Sequence, residues 1–210
     1  MKKYCIFDLD GTLIDSMDEW ARSMITILES EGIEYPDNII NILTPLGNEG
    51  GAKLFMQMGV SGTKEELIKR MQDYAYEAYS SRIVTKKGVT EALKKLKEDG
   101  HVLVVLTASP HITCDACLKN NKIYDIFDKV FTIEDFGTSK SDPEIYKMAA
   151  KKIGADISEI TFFDDNLTAL ETAKSAGLEI YGVYDSSSDS TTEKIKEISS
   201  RYINSFEELL

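Results

Sequence analysis

The chain has 210 residues, 42% of them apolar, and a formal net charge of −12. That length supports one full hydrophobic core plus a small accessory unit, with no need for covalent staples. The acidic balance argues against general affinity for nucleic acid or for an anionic membrane, because counterion release requires clustered Lys and Arg. Acidic and basic residues are mixed along the chain rather than gathered in a tail.

The N-terminal Lys2-Lys3 pair precedes an apolar run that meets Asp8 too soon for a signal-peptide core. No stretch approaches membrane-spanning length, so a cytoplasmic protein without membrane association is expected. Cys5, Cys114 and Cys117 form an odd set with no disulfide framework, which fits a reducing compartment. Cys114-Asp115-Ala116-Cys117 has C-x-x-C spacing but no second such pair. The same spacing places two small buried residues on one helix face.

The first strand is read at Lys3–Phe7 and runs directly into Asp8-Leu9-Asp10-Gly11-Thr12. Side chains two apart in extended chain point the same way, so Asp8 and Asp10 converge just past the strand end. Gly11 and Thr12 then turn the backbone. Two like charges that close repel and push one pKa up unless a cation lies between them, so the pair asks for a divalent metal, Mg²⁺ first.

Over ninety residues separate this strand from His101, far more than a crossover requires, and most of them read as helix. Met17, Trp20, Ala21, Met24, Ile25 and Leu28 share one face of a helix spanning about residues 16–31. Shorter helices follow near Asp37–Leu43 and Glu49–Met58. Thr63-Lys64-Glu65-Glu66 is a capping box that opens a longer helix carrying Leu67, Met71, Tyr74 and Ala78. Residues 16–84 are therefore expected to form a helical insertion that sits over the sheet, with residues 1–15 and 85–210 as the domain it interrupts. The Gly-rich stretch from Thr44 to Gly51 is the expected loop toward a pocket, or else a plain turn between helices.

Beyond the insertion, a helical pattern at Lys87–Gly100 precedes strands at His101–Leu106, Lys129–Ile133, Ile160–Phe163 and Leu178–Val183. Asp142-Pro143 opens a helix that Gly154 closes, and another, beginning after Asp165, runs to Gly177. Strands alternating with helices of this length predict parallel pairing and right-handed crossovers, hence an α/β fold with a doubly wound parallel sheet.

Ligands of open α/β sheets bind outside the carboxyl ends of strands. Thr107-Ala108-Ser109 and Asp164-Asp165-Asn166 follow strands, as Asp8 and Asp10 do, and Lys140 lies just before the Asp142-Pro143 helix start. Attack of the Asp8 carboxylate on phosphorus would form an aspartyl-phosphate, and Asp10 would move protons. Thr107, Lys140 and the backbone N–H groups of Leu9 and Ala108 would surround the phosphoryl oxygens. Asp164 and Asp165, with Asp8 and the Asp10 carbonyl, would complete an oxygen-rich Mg²⁺ site. Taken singly, each residue also has a plain role as a helix cap, a turn residue or a solvated charge. His111 is either a substrate contact or a surface residue.

Together these stretches resemble the four motifs of the haloacid dehalogenase superfamily, phosphatase branch. Asp8–Thr12 is similar to the first motif, Leu106–Ser109 to the second, Ser139–Tyr146 to the third, and Phe162–Asp165 continuing to Gly177 to the fourth. The resemblance implies Asp8 as nucleophile, Asp10 as acid and base, Thr107 and Lys140 on the phosphate, and Asp164 with Asp165 on Mg²⁺. The insertion resembles the helical cap of the phosphoglycolate phosphatase and β-phosphoglucomutase group. Ser141 stands where many relatives have Pro, and Ala169 where many phosphatases have a further Asp. Trp20 occupies the position of a mutase histidine, and residues 38–51 contain no arginine. A mutase must hold a second phosphate while its intermediate reorients, so these absences favour hydrolysis of a small phosphorylated metabolite. A sugar-phosphate mutase and a catalytically silent phospho-ligand binder are the alternatives. A monomer or weak dimer is expected.

Overall fold

Six parallel strands stand in the order β3-β2-β1-β4-β5-β6 in the computed structural model. They are β1 (Tyr4–Phe7), β2 (Val102–Thr107), β3 (Lys129–Thr132), β4 (Ile160–Asp164), β5 (Glu179–Val183) and β6 (Arg201–Ile203). The structure describes residues 1–43 and 46–210, apart from the side chains of Met17, Asp18, Trp20, Ala21 and Asn41. Strand order reverses between β1 and β4, the switch point at which doubly wound sheets open a crevice. Phe7 pairs with Val105 on one side and Phe163 on the other, which brings Asp8, Thr107 and Asp164 to one end of the sheet.

Alternation along the central strands builds two cores. Cys5, Phe7, Leu103, Val105 and Phe163 pack on one face, and Ile6, Val104, Leu106 and Phe162 on the other. Burial on both faces explains why these strands read as continuous apolar runs. Phe7 stacks on Phe163 at 4.5 Å between ring centroids. The five expected strands form within one or two residues of their expected ends. The sixth, β6, is three residues long and begins with exposed Arg201, too short to show a period.

The surrounding helices are α5 (Val89–Glu98), α6 (His111–Asn120), α7 (Pro143–Ile153), α8 (Leu167–Ala176) and α9 (Thr192–Ile198), and α1 to α4 form the insertion. Asp142 caps α7 by accepting from Glu144 N at 3.0 Å, and left-handed Gly154 closes it. Asn166 caps α8, accepting from Ala169 N at 3.2 Å. That choice leaves the Asp165 carboxylate available to the sheet end. Cys114 and Cys117 both face the core from α6, as their spacing implied, and all three cysteines are free. Burial pushes the Cys117 thiol up to about 12.

The insertion comprises α1 (Met17–Ser30), α2 (Ile39–Leu43), α3 (Gly47–Met58) and α4 (Lys64–Ser81). Met24, Ile27, Leu28, Phe55, Leu67 and Met71 anchor an apolar cluster of its own. The side chains of Met17, Trp20 and Ala21, expected on the α1 face, lie outside the described residues, as do Thr44 and Pro45. Gly47–Gly51 does not form a loop; it is the start of α3, with Gly51 packed toward Met71. Thr63 and Glu66 form the reciprocal capping box of α4. Near its C-terminal end α4 leaves the insertion's cluster, and Ala78, Tyr79 and Ile83 join the sheet-face core with Cys114, Cys117 and Leu118. Two connecting segments run side by side. Ile14 bridges Thr85 in antiparallel fashion, Asp15 N bonds Val84 O at 3.1 Å, and Lys86 N bonds Leu13 O at 2.9 Å. Among the described residues no helix is long and apolar enough to cross a membrane.

Candidate active site

Three carboxylates meet at the switch point. Oxygens of Asp8, Asp164 and Asp165 lie within 4.8 Å of one another, and all three residues are buried. Lys140 joins them from the loop before α7, donating from Nζ to Asp8 Oδ1 and to Asp164 Oδ2 at 2.8 Å. The buried Tyr146 hydroxyl, on α7, lies 3.0 Å from both the Lys140 and the Ala169 carbonyls, its one proton shared between them, and ties that loop to α8.

Burial is the main force on the Asp8 carboxyl and raises its pKa well above the carboxylate range; Lys140 opposes the rise, while Asp164, Asp165 and then Asp10 add to it. The repulsion expected between Asp8 and Asp10 is therefore the smallest of these effects. Burial disfavours the Lys140 ammonium, but Asp164 and Asp8 outweigh it and raise the lysine above its ordinary value. Burial, then Asp164 and Asp185, push Asp165 up to about 7.

Asp165 is held by the Thr12 hydroxyl at 3.0 Å and the Ser188 hydroxyl at 3.1 Å. Gly11, at φ +77°, lays its backbone against the same carboxylate. A Cβ there would sit 2.8 Å from both Asp165 oxygens, so the turn requires glycine for space and for conformation.

The Asp10 carboxylate has its own shell of hydroxyls. Oδ1 accepts from Ser16 at 2.8 Å and from the Tyr79 phenol, while Oδ2 accepts from Ser109 at 2.6 Å and from Thr107 at 3.5 Å. Thr107 also accepts from Ser109 N at 3.0 Å. Tyr79 escaped the sequence analysis because it lies one position off the α4 stripe of Leu67, Met71, Tyr74 and Ala78. Its partner is 69 residues away. Ser109 lay in the strand-end stretch already singled out but was given no role of its own, and Ser16 and Ser188 carried no signal that separates them from ordinary turn serines.

A cleft of about 630 Å³ opens beside this shell between the insertion and α6. Met24, Asn48, Gln72 and Tyr76 border it on one side, Ile112 and His111 on the other. His111 sits between Asp115 at 3.2 Å and Asp135 at 3.0 Å. Burial lowers its pKa, but the two carboxylates outweigh that and leave it raised. It is a cleft residue held by two acids.

The donor set is all oxygen and more acidic than one lysine neutralises, which suits a hard divalent cation such as Mg²⁺. A group with only nitrogen or sulfur preference would not find its ligands here.

Known phosphatases are similar to this chain over most of its length. A phosphorylated carbohydrates phosphatase from Thermotoga maritima is 27% identical over 186 residues, covering 88% of this chain and 86% of the relative. A phosphoglycolate phosphatase from Psychrobacter arcticus is 28% identical, covering 87% of this chain and 83% of the relative. Among solved structures, a candidate β-phosphoglucomutase from Thermotoga maritima matches with a TM-score of 0.85 at 24% identity, over 99% of this chain and 96% of that one. CbbY from Rhodobacter sphaeroides, in complex with phosphate, matches with a TM-score of 0.79 at 20% identity, over 100% of this chain and 96% of that one. These structural likenesses show a shared fold. The profile of the haloacid dehalogenase-like hydrolases matches residues 5–183, and the chain belongs to that family.

Proposed function

We propose that this hydrolase is a Mg²⁺-dependent phosphomonoesterase that works through an aspartyl-phosphate on Asp8. The observation that carries the reading is the division of the acids. Asp8 lies in a buried cluster with Asp164, Asp165 and Lys140, while Asp10 stands apart in a shell of hydroxyls. This division supports a reading in which one acid attacks and the other handles protons.

An Asp8 carboxylate oxygen attacks phosphorus as the ester P–O bond breaks, and Asp10 gives its proton to the leaving oxygen. Asp10 then takes a proton from water, whose oxygen attacks phosphorus and releases phosphate from Asp8. Acid-base help of this kind contributes on the order of 10²–10⁴ in rate. Lys140, Thr107 and the N–H groups of Leu9 and Ala108 donate to the phosphoryl oxygens where charge develops. Asp8, Asp164, Asp165 and the Asp10 carbonyl would hold Mg²⁺, which offsets the charge of the carboxylates and phosphate when bound.

Residues 16–84 act as a cap over a core of residues 1–15 and 85–210, hinged at the paired segments around Ile14 and Thr85. The substrate is a small phosphorylated metabolite whose leaving group is hydroxylated and uncharged. Both basic residues bordering the cleft are already paired, Lys69 with Asp73 at 2.9 Å and His111 with Asp115 and Asp135, and Glu134 adds negative charge. The residues outside the description include no Lys, Arg or His. The buried free thiols fit a cytoplasmic setting.

Phosphate release over a panel of sugar and polyol phosphates, phosphoglycolate and a sugar bisphosphate, with and without Mg²⁺, tests this. Polyol and sugar monophosphates should lead in kcat/KM, and Asp8→Asn should lose more than about 10³-fold. Metal-independent turnover, an active Asp8→Asn, or isomerisation without phosphate release would each overturn the mechanism.

A further inference from the structure

Lys86 belongs to none of the four motifs, yet its ammonium is fully engaged. Nζ donates to the Gly11 carbonyl at 2.5 Å and to the Tyr184 carbonyl at 2.5 Å, and it pairs with Asp185 Oδ2 at 2.8 Å. Three acceptors match the three N–H bonds of an ammonium. Asp185 is 4% exposed while the Lys86 side chain keeps 19% of its surface, so this ion pair is drawn partly out of water. Such a pair is weak as a source of stability alone, which turns attention to what it holds in place.

Each end of the contact leads to Asp165. On one side, Gly11 is the residue whose backbone presses against the Asp165 carboxylate. On the other, Asp185 Oδ1 accepts from Ser187 N at 2.9 Å and from Ser187 Oγ at 2.6 Å, which sets the loop after β5. The next residue, Ser188, donates to Asp165 Oδ2 at 3.1 Å. The two walls around Asp165 come from segments about 175 residues apart in sequence, and one ammonium ties them together. Lys86 is also part of the connecting segment, with its own N–H on Leu13 O at 2.9 Å.

We propose that Lys86 is a positioning residue for the metal site, clamping the Gly11 turn against the loop after β5 so that Asp165 is held between them in the orientation that accepts a divalent cation. This rests on the reading of Asp8, Asp164 and Asp165 as a metal site. The residue touches neither the cation nor the substrate, and it acts through its neighbours. Groups that orient metal ligands typically change affinity by about 10- to 100-fold when lost.

Mn²⁺ binding to the 210-residue chain, measured by calorimetry, tests the proposal alongside thermal unfolding without metal. Lys86→Met should weaken Mn²⁺ binding at least about tenfold, and Ser188→Ala should weaken it less, about threefold. Lys86→Met also leaves the buried Asp185 without its counter-charge, so it will lower Tm, and a second variant separates the two effects. Lys86→Met/Asp185→Asn removes both charges and should regain Tm. Its Mn²⁺ affinity should stay weak, because the Gly11 carbonyl is still untethered. Native Mn²⁺ affinity in the double variant, or in Lys86→Met itself, would overturn the role of Lys86. Failure of the native chain to bind Mn²⁺, with Asp165→Asn indistinguishable from it, would instead overturn the metal site on which the role depends.

Discussion

Tyr79 of α4 donates its phenol hydroxyl to the Asp10 carboxylate, linking the helical insertion to the acid that stands beside the buried cluster. The contact is 69 residues long in sequence and is enclosed, with Tyr79 only 6% exposed. Burial, then the Asp10 charge, raise the phenol pKa well above its ordinary value, so it stays protonated and donates. Its ring meanwhile packs in the sheet-face core.

Removing only the hydroxyl separates those two roles. Tyr79→Phe keeps the ring and deletes one donor to a charged acceptor, an interaction of about 1.5–3 kcal/mol. Steady-state kinetics on a good substrate should show kcat lower by about 10- to 100-fold, with Tm lower by only several degrees because the ring still packs in the core. Native kcat would mean that Ser16 and Ser109 suffice to hold Asp10.

Lys140 neutralises two buried carboxylates at once, so its loss should be felt in stability as well as turnover. Lys140→Met leaves Asp8 and Asp164 without a counter-charge, and urea denaturation without metal should show a loss of about 3–5 kcal/mol. Adding Asp164→Asn should recover much of that stability while phosphate release stays undetectable. Recovery of activity in the double variant would show that Lys140 acts only by balancing charge.

His111 supplies a pH signature. Burial acts to lower its pKa, but its bonds to Asp115 and Asp135 prevail and raise it above the ordinary 6.5. Between the unfolded and folded values the native state binds more protons, so stability from the contact is full below about 6.5 and fades as pH rises through the folded pKa. His111→Gln should therefore lower Tm more at about pH 5.5 than at about pH 8.5. An equal shift at both values contradicts the assignment of a protonated His111.

The strand ends were legible because local rules govern them. Two-residue alternation placed Asp8 and Asp10, Pro143 and Gly154 bounded α7, and Thr63 with Glu66 announced α4. Tyr79, Ser188 and the Lys86–Asp185 pair obey no such rule. Their partners lie far away in sequence, and nothing periodic marks one buried serine or lysine from a solvated one. The Gly47–Gly51 stretch failed for a related reason: its composition favours a turn, but packing of Gly51 toward Met71 rewards a helix.

The sequence by itself determined which acids follow which strands, the tight turn at Gly11, and the alternation that makes the sheet parallel, because each depends on neighbours a few residues apart. Only the tertiary structure decided that burial, rather than repulsion from Asp10, controls the Asp8 carboxyl, and that Tyr79 and Lys86 reach the site from the insertion and its connecting segment. Desolvation and long-range pairing depend on how every element packs, and no local pattern carries that information.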